Sequence, residues 1–98
     1  RPMLNALGEN LQRTDVLIRV EGNTDDLPIV TDKYPSNWEL SMARAVNIVK
    51  YLSSQGGISP GRLSAAGYAD TRPKTPNVNP ENRQLNRRVD IILTFPEN

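Results

Sequence analysis

The chain has 98 residues, 37% of them apolar, with 12 Lys+Arg against 11 Asp+Glu and a formal net charge of +1. That size fits a single small domain over residues 1–98, and the near-neutral balance argues against a dedicated nucleic-acid binder. The absence of His and Cys excludes disulfides and thiol catalysis and removes the commonest metal ligand and the usual general base.

No apolar run approaches the ~20 residues that cross a bilayer. Position 1 is Arg rather than an initiator Met, so the sequence reads as a fragment, with any anchor or export signal expected elsewhere. From Pro2 to Gln12, Met3, Leu4, Leu7 and Leu11 recur at helical spacing, and Pro2 suits a first turn, which predicts a helix. Val16 to Glu21 is then a β-branched stretch with Val16, Ile18 and Val20 on one face, a strand. Gly22 to Asp26 closes it with turn-forming residues, and the connection continues through Pro28, Asp32 and Pro35. A connection longer than about ten residues is uncommon in a compact domain and is a place to look for function.

Ser36-Asn37-Trp38-Glu39 fits a capping box, with Ser36 capping the amide of Glu39 and the Glu39 carboxylate reaching back to the amide of Ser36. Trp38, Met42, Ala45, Val49 and Leu52 continue as an apolar helical stripe that Gly56-Gly57 ends, and Trp38 is expected to be a packing anchor. Seven positions at ~100° each return to within ~20° of the start. Asn37 and Arg44 therefore project from nearly the same side, away from Met42.

Ile58 to Arg62 reads as a turn, and Leu63 to Tyr68 as a short strand whose small residues suit close packing. Asn79-Pro80 supplies a cap and first turn for a helix through about Asn86. Val89, Ile91, Leu93 and Phe95 alternate with Asp90, Ile92 and Thr94, the period of a strand with one buried face. Helix and strand thus alternate three times, which implies an α/β fold of two layers with helices over one face of a sheet.

Glu21, Asp25 and Asp26 place carboxylates at and beyond a strand end, while Arg44 lies in the second turn of the helix after the loop. A surface ion pair explains such charges, as does an Asp25 that accepts hydrogen bonds from neighbouring loop amides. Arg87-Arg88 can offset the negative end of the last helix, although a strand with Val89 buried sends Arg88 to the opposite face. Tyr68 suits either a half-buried core aromatic or a cleft wall. Glu21 and Asp25 could form the two carboxylates of a glycosidase. No glycine pattern matches a phosphate loop or a dinucleotide fingerprint.

Four blocks carry a resemblance: Glu21-Gly22-Asn23-Thr24-Asp25, Asn37 to Ala45, Arg62 to Tyr68, and Asn86 to Ile91. From about Val16 to Leu93 the chain resembles an OmpA-like domain. Within that family, the stretches from Asp25 to Ile29 and from Tyr34 to Ser41 are most similar to the MotB-type domains of flagellar stators. The resemblance implies a two-layer α/β sandwich on a mixed β-sheet, with the family's first strand upstream of residue 1. It also implies non-catalytic binding of peptidoglycan through the diaminopimelate of the peptide stem, with neither metal nor cofactor. Asp25 would take the ligand's ammonium and Arg44 its carboxylate, Asn37 would orient it, and Thr24 and Arg88 are further candidates.

Carried further, the resemblance implies a wall-facing periplasmic domain that self-associates as a homodimer. Its parent would sit in the inner membrane beside a channel-forming stator partner. Two alternatives remain: the wall anchor of an outer-membrane lipoprotein, porin or secretion system, and a peptidoglycan hydrolase using Glu21 and Asp25. Asn23 stands where many relatives carry His.

Overall fold

The computed structural model describes residues 15–96, so the helix expected from Pro2 to Gln12 lies outside the described residues. Among them run β1 (Leu17–Gly22), α1 (Asn37–Ser54), a 3-10 turn (Pro60–Arg62), β2 (Leu63–Gly67), α2 (Pro80–Asn86) and β3 (Val89–Thr94). The strands form one mixed sheet in the order β2-β1-β3, with β1 parallel to β2 and antiparallel to β3. The expected α/β class and mixed sheet are what is found.

The pleat separates the two faces of β1. Val16, Ile18 and Val20 are buried, while Leu17 between them is half exposed. Register extends the apolar face sideways, because Ile18 sits between Leu63 and Leu93, and Val20 between Ala65 and Ile91. Onto this surface α1 lays Ala45, Ile48, Val49 and Leu52, and Ile58 closes the core after the helix. Burying an aliphatic side chain of this kind stabilises by about 1.5–3 kcal/mol.

Both helix starts form as the sequence predicts, with one change of detail. Ser36 Oγ accepts from Trp38 N at 3.2 Å, rather than from Glu39, and its hydroxyl donates to the Glu39 carboxylate at 2.6 Å. Asn79 Oδ1 accepts from Asn82 N at 2.8 Å, with Pro80 in the first turn of α2. Helix α1 ends with Gln55 as its cap, and Gly57 then takes φ 69°, a left-handed turn that glycine adopts freely.

The stripe along α1 differs from expectation at its N-terminal end. Ala45 and Leu52 are buried and Ser41 joins them, but Met42 is exposed and Trp38 is 53% exposed. Two glycines explain the difference. A Cβ on Gly22 would lie 2.0 Å from the Ser41 carbonyl oxygen, and one on Gly67 would lie 2.6 Å from Met42 N. The helix backbone therefore rests against the last residues of β1 and β2, which leaves no depth for a large side chain at 42. It also carries the first turn past the strand ends, where no sheet lies beneath Trp38. The expected packing anchor is instead a surface indole. Phe95 likewise falls beyond the end of β3 and is exposed.

Candidate functional site

Ligand sites in α/β sheets form where loops leave the carboxyl ends of parallel strands. Here those loops begin at Asn23 and Tyr68, and backbone bonds stitch them together. Tyr68 N donates to Gly22 O, Thr24 N to Ala69 O and Asn23 N to Arg88 O, all within 3.0 Å. Ser41 Oγ secures them from the helix side, accepting from Ala69 N and donating to Trp38 O, each at 3.0 Å. This fixed floor is what positions the residues after β1.

A cleft of about 210 Å³ opens there, lined by Thr24, Asp25, Leu27, Ile29, Asn37, Leu40, Arg44 and Arg87. Four of the five site residues expected from the sequence thus share one cavity. Asn37 and Arg44 reach it from the same side of α1, as seven-residue spacing requires. Arg88 does not line it. Its Nε donates to the Asp90 carboxylate at 3.2 Å and its Nη2 to Arg72 O at 3.1 Å, at a separate opening shared with Lys74 and Glu81. Strand alternation accounts for this, since Arg88 and Asp90 share the face opposite Val89.

Asp25 is only 5% exposed and both of its carboxylate oxygens are engaged. Oδ1 accepts from Leu27 N at 2.9 Å, the loop-closing contact anticipated for an Asp in this turn. Oδ2 is ion-paired with Arg87. Sequence reasoning missed Arg87 as a cleft residue. It sits between α2 and β3 with φ −81° and ψ 78°, neither helical nor extended, so no periodicity gives its direction. The only available signal was that Arg88, its neighbour, is committed to the other face.

Arg44 differs from Arg87. It is exposed, and among the described residues it makes no hydrogen bond or ion pair. Asn37 is half committed: Nδ2 donates to Leu27 O at 3.1 Å, while Oδ1 is buried with no partner among the described residues. Thr24 is buried, and its hydroxyl donates to Asp25 O at 2.8 Å. The cleft therefore offers one guanidinium without a protein partner among the described residues, beside a carboxylate already held in place, and the unpartnered Asn37 Oδ1 is buried in its wall. Acid and bases together leave a local excess of one positive charge.

Glu21, the other carboxylate of the hydrolase alternative, is bound elsewhere. It accepts from Arg19 Nε at 2.7 Å and from the Tyr68 hydroxyl at 3.3 Å, and it does not line the cleft. Asn23 is buried, and its amide donates to Glu21 O at 3.3 Å, a contact within the floor rather than the cavity. Asn86, also buried, accepts from Lys74 N and Thr75 N and donates to Thr75 O and Asn77 Oδ1. It moors the loop before α2.

Comparison with known proteins agrees with this architecture. The chain is 43% identical over 91 residues to the uncharacterized protein YtxE of Bacillus subtilis, and 41% identical over 83 residues to motility protein B of Helicobacter pylori. These alignments cover 93% and 85% of the chain but 38% and 32% of those proteins, so the chain spans about a third of their length. The C-terminal domain of Helicobacter pylori MotB superimposes with a TM-score of 0.88 at 35% identity, covering 98% of this chain and 74% of that one. The cell wall anchor of the type VI secretion system (T6SS) of Pseudomonas aeruginosa gives 0.86 at 40% identity, covering 98% and 66%. The OmpA family pattern matches residues 1–87, and the chain belongs to the OmpA family.

Proposed function

We propose that this domain binds peptidoglycan without cleaving it, and that the cleft grips the zwitterionic end of the diaminopimelate residue in the peptide stem. The observation that carries the reading is the unpaired Arg44 guanidinium in the same cavity as the buried Asp25 carboxylate. A guanidinium engages a carboxylate through two parallel hydrogen bonds, so Arg44 takes the ligand's carboxylate. The ammonium goes to Asp25, whose two oxygens have about four acceptor sites, two of them in use. Asn37, on the same side of α1 as Arg44, orients the ligand.

Arg87 modifies the expected roles. It holds the Asp25 carboxylate in place, and its positive charge makes the cleft favour ligands that bring a carboxylate over bare amines. Arg88, with its own partners, is left as scaffold.

In its parent protein the domain would anchor a membrane-embedded stator to the wall from the periplasm, as a homodimer beside a channel-forming partner. The similarity to a T6SS wall anchor supports a second reading, in which the same grip serves another machine. Sequence preceding residue 1 separates the two: a spanning helix with an embedded Asp favours the stator.

The test is co-sedimentation with purified sacculi. The wild-type chain is expected to pellet, and Asp25→Asn and Arg44→Ala are expected to remain in the supernatant with unchanged circular dichroism. Full pelleting by both variants would overturn the assignment, and release of soluble muropeptides would convert the reading to a hydrolase.

A further inference from the structure

Beyond Asn37 from the Asp25 cleft lies a second groove of about 280 Å³, and we propose that it is a saccharide subsite with the Trp38 indole as its stacking face. Asn37 and Ile29 line both cavities, so the two are neighbours. The groove adds Asp26, Val30, Trp38 and Asp70. Trp38 is not packing: more than half of it faces solvent, beside a Val30 that is exposed almost completely.

A sugar ring has one face dominated by C–H groups and an edge of hydroxyl donors. The first suits an exposed indole, and the second needs acceptors. Asp70 supplies them, being exposed and without a hydrogen bond or ion pair among the described residues. Asp26 adds a partly exposed carboxylate, steadied by Arg83 Nε at 3.0 Å. No Lys or Arg lines the groove, so an acidic ligand is disfavoured and a neutral polyol accepted. The shared wall with the first cleft points to one polymer that carries peptide and sugar together. The choice of natural ligand rests on the peptidoglycan reading above, whereas the subsite itself is tested without it.

Trp38 is the only Trp in the chain, so its fluorescence reports this groove alone. The chain is titrated with N-acetylglucosamine tetramer and with glycan strands stripped of peptide. A saturable change in emission is expected. Trp38→Ala, followed by sedimentation with immobilised glycan, is expected to lose about tenfold in affinity, with Trp38→Phe recovering part of it. Asp70→Asn should weaken binding with the fold and the indole both retained.

No emission change with either saccharide, or equal glycan binding by wild type, Trp38→Ala and Asp70→Asn, overturns the proposal. So does a response to an oligolysine peptide with none to saccharide, which would make the groove a cationic-peptide site. If stem-peptide binding fails while the tetramer response persists, the first cleft's assignment falls and this one stands.

Discussion

The two ends of helix α1's contact with the sheet behave differently. Where Ser41 and Met42 cross the strand ends, backbone is fitted to glycine without a gap, and Ser41 has partners for both its donor and its acceptor role. On the cleft side, one turn earlier at Asn37 and two residues later at Arg44, Asn37 Oδ1 and the Arg44 guanidinium lack partners among the described residues, and Trp38 in the first turn stands in solvent. Interior polar groups are nearly always satisfied in folded proteins, and of the three buried side-chain atoms without a partner among the described residues, Asn23 Oδ1, Asn37 Oδ1 and Arg88 Nη1, only that of Asn37 belongs to a residue lining the cleft. The crossing is where helix and sheet are held together, and the first turns carry side chains of the proposed site.

Substitutions should separate along that line. Gly22→Ala strikes the crossing hardest, because its new Cβ would sit 2.0 Å from a backbone oxygen that cannot swing away. A loss of about 3 kcal/mol or more is expected by urea denaturation, and a loss under 1 kcal/mol would show the crossing to be looser than described. Asn86→Ala removes four hydrogen bonds from a fully buried site and should cost about 2–3 kcal/mol by the same measurement.

Arg44→Ala should leave stability within about 0.5 kcal/mol, as for other exposed positions, yet weaken binding of a diaminopimelate-containing stem peptide by about 2 kcal/mol in calorimetry. Equal effects on both would erase the distinction between the two regions. Ser36→Ala should have the smallest effect, about 1 kcal/mol of stability from the lost cap, with the melting transition as its measure.

Much of this was legible in the sequence because local rules and the fold agree. The Val16, Ile18, Val20 alternation, the Ser36 and Asn79 caps and the shared side of Asn37 and Arg44 depend on backbone period alone. Trp38 and Met42 did not, because periodicity gives the direction of a side chain and not whether the sheet extends beneath it. Only the close approach at Gly22 and Gly67 decides that, and it is a contact between segments distant in sequence. Arg87 was hidden for a related reason: its reach to Asp25 spans 62 positions and begins from an irregular backbone.

Gly22 and Gly67 have one more consequence. The guanidinium and the carboxamide of the proposed site both ride on α1, and α1 cannot tilt without parting from the two strand ends on which it sits. In the proposed complex, a load taken up by Arg44 and Asn37 would pass through α1 to the sheet, whereas Asp25 is carried by the loop after β1. For the proposed tether, the α1 side of the grip is as stiff as the joint between helix and sheet.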